Sequence, residues 1–132
     1  MTAFTVTIET WTDADYAQAF RYQLGTAIPP VYYDFTGCSL RMMIRKNAPD
    51  NQVFLDLNSS AGLLVTESGI DIYDPEDQET AGLWEFAVII LRAELQRIPQ
   101  GTYEHSLIIK TPDGLYQDLW RGNFINTIGP TR

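Results

Sequence analysis

The only histidine of this chain, His105, lies between Glu104 and Ser106 in the stretch "GTYEHSLIIKTPDGLYQDLWRG", with Asp118 further along. A histidine beside carboxylates is the usual raw material of acid–base catalysis, provided that the carboxylate reaches the ring. The spacing counts against it here. "TPDG" sets a three-residue hairpin loop at Pro112 to Gly114, with glycine free to take the left-handed conformation. Counting outward, Ile109 faces Gln117, Leu107 faces Leu119 and His105 faces Arg121. Side chains alternate along a strand, so Glu104 and Asp118 fall on the sheet side opposite His105. His105 is therefore expected to be a strand histidine satisfied by backbone or solvent. A nucleophile–base pair of Cys38 and His105 would have to meet across sheets, and nothing around Cys38 suggests an activated thiolate.

Other chemistry is sparse. The phosphate-cradling, dinucleotide, zinc-protease and nucleophile-elbow motifs do not occur, and one histidine with one cysteine cannot build the usual zinc site. Between Lys46 and Arg92 there is no basic residue, while Glu67, Asp71, Asp74, Glu76, Asp77 and Glu79 accumulate. "DIYDPEDQETAG" lacks the alternation and central glycine of a calcium loop, so a solvated acidic loop is expected, without metal or cofactor. A glycosidase pair of carboxylates is defined only by separation in space, and this chain is short for adding a substrate cleft. Three aromatics stand out: Trp84, Tyr116 and Trp120. Tyr116 and Trp120 share a strand face, and a bulge at Gly122 would switch the parity of everything after it. Buried, these rings are core, which is the favoured reading; exposed, they would offer a stacking platform to a glycan or a protein partner.

The elements that must position these residues belong to one domain of 132 residues, with 45% apolar content and a formal charge of -8. That charge repels nucleic acid and anionic membrane, and no apolar run approaches the roughly 20 residues of a membrane span. "MTAFTVTIETW" carries no secretory signal, and a lone Cys38 allows no disulfide within the chain.

The period-2 pattern marks strands at Phe4 to Glu9, Leu40 to Lys46, Val53 to Asn58 and Leu83 to Leu91, the last apolar on both faces and so the candidate central strand. "TDADYAQAFRYQLG" fits both helix and strand spacing and is read as strand; Gly25 to Gly37 reads as loop or irregular edge. "GLLVTE" and "GIDIYD" add short strands, and Arg92 to Ile98 a short helix ended by Pro99. Many short strands with almost no helix predict an all-β sandwich.

"DFTGCSLRMMIRK", then "VFLDLNSSAGLLV", then "IPQGTYEHSLIIKTPDGLYQDLWRGNFINTIGPTR" resemble a small phage and prophage tail domain. That group is similar to the N-terminal domain of the lactococcal phage baseplate upper protein. The matching positions are Asp34, Thr36 and Gly37; Arg41 and Arg45; Leu55 and Leu57; Pro99, Gly101 and Tyr103; Asp113 and Gly114; Gly122; and Thr131 with Arg132. The resemblance covers the last three quarters of the chain, mostly at turn and packing positions. It implies an immunoglobulin-like antiparallel β-sandwich in the virion, made in the host cytoplasm and assembled in several copies. Its partners would be other tail, baseplate or fibre proteins, and it carries no catalytic residues. Two departures stand against it: this chain ends directly after the sandwich, as a free-standing adaptor would, and the acidic loop is longer. The alternative expectation is a carbohydrate-binding module using Trp84, Tyr116 or Trp120.

Overall fold

A computed structural model describes residues 4–24, 31–59, 68–74 and 82–131. The strand expected over Phe4 to Glu9 is divided into β1 (Phe4–Thr5) and β2 (Ile8–Trp11), with Val6 and Thr7 between them. Strand spacing prevails over helical spacing at β3 (Tyr16–Phe20), and β4 (Gln23–Leu24) pairs with β5 (Val31–Tyr32). Then come β6 (Ser39–Arg45), β7 (Leu55–Asn58), β8 (Gly69–Tyr73), β9 (Glu85–Ile90), the single-turn helix α1 (Arg92–Leu95), β10 (Gly101–Lys110) and β11 (Tyr116–Thr127). The "GLLVTE" strand falls outside the described residues.

Two sheets enclose one core. The larger has the order β1-β11-β10-β6-β7, with β2 continuing β1 along β11; the smaller is β3-β9-β8, with β9 at its centre as its two apolar faces require. The pairings are antiparallel except that β1 and β2 run parallel to β11 and a lone parallel bridge joins Ser59 to Ile70. Alternate residues turn inward: Leu40, Met42 and Ile44 from β6, Phe86, Val88 and Ile90 from β9, and Tyr103, Leu107 and Ile109 from β10 are buried in one cluster. In chain order β6, β7, β10 and β11 take the places of immunoglobulin strands C, C′, F and G, and β3, β8 and β9 those of B, D and E. The fold is an all-β, immunoglobulin-like sandwich.

The corner between β9 and β10 carries the helix. The Tyr103 hydroxyl donates to the Pro99 carbonyl at 2.5 Å, the tie that immunoglobulin domains make with a tyrosine at this corner. Asn126, fully buried in β11, donates from Nδ2 to the carbonyls of Leu95 (3.0 Å) and Ile98 (2.9 Å), while its Oδ1 accepts from Thr10 at 2.9 Å. Leu95 ends the helix, where its carbonyl also accepts from the Ile98 amide at 3.2 Å, and Asn126 adds a side-chain donor to it and to the Ile98 carbonyl in the turn that follows.

The closing hairpin corrects the expected register. The loop is as predicted, with Thr111 N bonding Leu115 O and Gly114 N bonding Thr111 O, both at 2.9 Å, and Ile109 does face Gln117. Between Leu107 and Ile108 the ladder slips: Leu107 faces Trp120 instead of Leu119, and His105 faces Gly122 instead of Arg121. Leu119 is the extra residue, so consecutive Leu119 and Trp120 are both buried. The bulge lies there because two adjacent apolar side chains cannot both enter the core from a regular strand.

Candidate binding surface

The residues with chemical potential are taken up by the fold. His105 is 4% exposed and stands two residues beyond Tyr103, where an antibody domain carries its second cysteine. Its Nε2 lies 2.8 Å from the Val6 carbonyl; a carbonyl only accepts, so Nε2 bears the hydrogen. Gly122, the residue paired with His105, makes this contact possible. A Cβ there would overlap the Val6 oxygen and come 2.9 Å from its carbon and 3.1 Å from its nitrogen. The imidazole thus fastens the Val6 interruption between β1 and β2, together with the Val6 N–Arg121 O bond of 3.0 Å. Nδ1 has no hydrogen-bond partner among the described residues, and burial pushes the imidazole pKa below its ordinary value, only partly offset by the Val6 and Asn123 backbone.

Neither nearby acid serves the ring. The Glu104 carboxylate accepts from the Ala48 amide on the exposed face, and Asp118 pairs with Arg121 at 2.5 Å. Cys38 is half-buried with its Sγ 3.9 Å from the Tyr33 hydroxyl, and burial raises its pKa, the opposite of what an activated thiolate needs. Among the described residues no three of His, Cys, Asp and Glu gather as a metal site, and most of the acidic loop, including Glu67, Glu76, Asp77 and Glu79, lies outside them.

The aromatic platform of Trp84, Tyr116 and Trp120 does not form. Trp120 is 4% exposed and packs against Phe20 (ring centroids 4.7 Å apart), Phe86 (5.6 Å) and His105 (6.4 Å); the Leu119 bulge carried it to the core side. Trp84 is half-buried, its indole against the backbone of Gly82. Tyr116 alone stands out, 71% exposed, with the Lys110 ammonium 5.5 Å from its ring centre.

The surface left for recognition is the outer face of the large sheet. Strand alternation and the observed register place Arg41, Met43 and Arg45 of β6, Glu104, Ser106, Ile108 and Lys110 of β10, and Tyr116, Asp118, Arg121 and Asn123 of β11 on it. Asp56 and Asn58 of β7 and Thr5, Glu9 and Trp11 of the first two strands complete it. Two shallow depressions of about 520 and 390 Å³ lie along this face and share Met43 and Ser106. Arg41 holds Asp56 with two bonds, 3.0 and 2.7 Å, which keeps the Asp56 carboxyl below its usual range.

Comparison with known proteins adds no assignment. No protein-family model matches the chain, and no curated protein matches its sequence.

The arrangement can bind but has no constellation for turnover among the described residues. Sequence reasoning missed the Arg41–Asp56 pair, although cross-strand Arg and Asp on adjacent polar positions of a hairpin are its signal. It also missed Asn126, whose signal was a polar amide at an inward position of an otherwise apolar strand. The motif positions noted above do folding work. Asp34 Oδ1 accepts from the Thr36 amide (3.0 Å), the Thr36 hydroxyl (2.6 Å) and the Leu83 amide (3.2 Å), so its carboxyl titrates below the ordinary range. Gly37, at φ 77°, packs on Pro112 of the closing hairpin.

Proposed function

We propose that this chain is a non-enzymatic structural adaptor of a tailed phage or prophage particle, acting by protein–protein assembly onto tail, baseplate or fibre components. One observation carries the reading: His105 is engaged in fastening β1 and β2 to the sheet and Cys38 has a raised pKa, while the large sheet turns an outer face of mixed apolar and charged side chains to solvent. The turn and corner residues of the phage-tail resemblance also support it, since Asp34, Tyr103 and Gly122 each make a specific backbone contact that a shared fold would require. Among the described residues the edge strands β7 and β3 each pair on one side only in their sheets, leaving backbone groups that a partner strand can meet. Weak contacts of this kind become firm attachment when copies repeat in a symmetric particle.

The test is co-assembly. Purified chain mixed with tail, baseplate and fibre components of a phage that encodes it should co-sediment with one of them. Failure to associate with all of them sinks the reading.

A further inference from the structure

We propose that the outer face of the large sheet is the surface through which two copies of this chain associate. The inference rests on the assembly reading and names its surface and one partner.

The argument begins with charge. The outward positions of the large sheet hold four cations, Arg41, Arg45, Lys110 and Arg121, and four carboxylates, Glu9, Asp56, Glu104 and Asp118. The face is neutral, so the whole net charge of -8 is carried by residues outside it. Two identical molecules meeting through surfaces rich in that excess repel each other, and the neutral face is where a copy approaches at least cost. The signs are also interspersed. Asp118 and Arg41 stand on either side of Ile108, and Arg121 and Asp56 on either side of the Ser106 and Met43 pair, so the sign reverses across each row and in opposite senses in the two rows. A pattern that alternates in this way can meet a rotated copy of itself with unlike charges opposed, which a face of single sign cannot.

Apolar content and size agree. Met43, Ile108 and Ile125 are half-buried on this face with no layer over them among the described residues, and Trp11, 52% exposed, extends the aromatic and apolar surface at the end of the face away from Tyr116. Five strands about 4.8 Å apart, read over the seven residues of β6 at about 3.3 Å each, give a face roughly 24 by 23 Å, about 550 Å² in projection. Side-chain relief brings its accessible area near the ~800 Å² per partner of an ordinary stable interface. A hetero-partner chosen for charge would be drawn to the acidic remainder of the molecule instead.

The experiment is sedimentation of the full chain from about 1 μM to 1 mM, the range that resolves weak self-association. The expected result is a monomer–dimer equilibrium. Met43→Arg, and separately Ile108→Arg, should raise the dissociation constant at least about tenfold, as loss of a central interface contact does. Lys110→Glu, on an exposed side chain at the sheet surface, repeats the test outside the core, and Ala19→Arg on the outer side of the small sheet should leave the equilibrium unchanged. A chain monomeric throughout overturns the proposal. So does a dimer that the three face variants leave intact while Ala19→Arg breaks it. The adaptor reading is judged separately: a monomeric face variant that still binds a tail component leaves that reading standing, whichever way sedimentation falls.

Discussion

Gly122→Ala tests the account of how the first strand is held. In an unhindered extended position this substitution stabilises a protein by about 0.4–1 kcal/mol, because alanine restricts the unfolded chain. At Gly122 the added methyl meets backbone: the Val6 carbonyl group and its nitrogen lie within 3.1 Å of where the Cβ would be. Backbone cannot rotate aside as a side chain can, so Val6 must move off β11. That movement breaks the 3.0 Å bond from Val6 N to Arg121 O and the 2.8 Å bond from His105 to Val6 O. Two hydrogen bonds at about 1 kcal/mol each and a buried imidazole N–H left unpaired at about 1–3 kcal/mol come to about 3–5 kcal/mol, and the gain from alanine offsets part of it, leaving a loss of about 3 kcal/mol. For a chain of this length that is a fall in Tm of about 10 °C. Urea denaturation measures the loss, and hydrogen exchange at the Val6 amide locates it. His105→Gln in the same background should cost less than it does alone, because the bond it removes is already broken. Unchanged or increased stability in Gly122→Ala, or unchanged Val6 protection, refutes the fastening.

Three further outcomes follow from the same structure. The folded His105 pKa lies below the ordinary value of about 6.5, so below that pH the unfolded chain takes up a proton that the folded chain does not; stability should fall as pH drops from about 6.5 until the folded imidazole also titrates, and His105→Gln should be flatter from pH 6.5 to 5 in denaturation titrations. The lowered carboxyl groups of Asp34 and Asp56 act in the other window, stabilising above about pH 4 and losing that contribution in stronger acid. Asn126→Leu removes the side-chain donor of the Leu95 and Ile98 carbonyls, of which Leu95 keeps the Ile98 amide, and should cost about 2–4 kcal/mol by chemical denaturation, with exchange increased first around α1. Trp120→Ala should cost about 3–5 kcal/mol, whereas Tyr116→Ser should leave thermal stability unchanged, since one ring is core and the other is surface.

The strands, the short helix, the turn at Pro112 to Gly114 and the inward residues of β6, β9 and β10 were legible because each is written in local spacing or turn chemistry. What was not legible depended on a third element. The Leu119 bulge arises from the competition of two neighbouring apolar side chains for one core, which alternation alone cannot represent, and it parts Trp120 from Tyr116, so the favoured core reading holds for Trp120 and fails for Tyr116. Gly122 looked like a bulge because glycine in a strand has two common meanings; the other, close approach of a second backbone, required knowing that Val6 arrives there. The separation of His105 from Glu104 and Asp118 was read correctly, yet the true partner of the imidazole lies 99 residues away, beyond any local pattern. The candidate surface was hidden for a related reason: β6 and β10 are far apart in sequence, and only their pairing in the sheet brings Arg41 beside Ile108 and Arg45 beside Glu104.

The parallel pairing of β1 and β2 with β11 also fixes the geometry of attachment. The chain joins the large sheet at Phe4, beside Trp120, and leaves it at Thr127, beside Trp11, travelling in the same direction both times. Seven residues of strand separate those points, roughly 23 Å. The domain is therefore a strut with two poles: its first described strand enters the large sheet at one and its last leaves at the other, so a pull between Phe4 and Thr127 acts along the strands and loads the β1–β11 and β2–β11 hydrogen bonds together in shear.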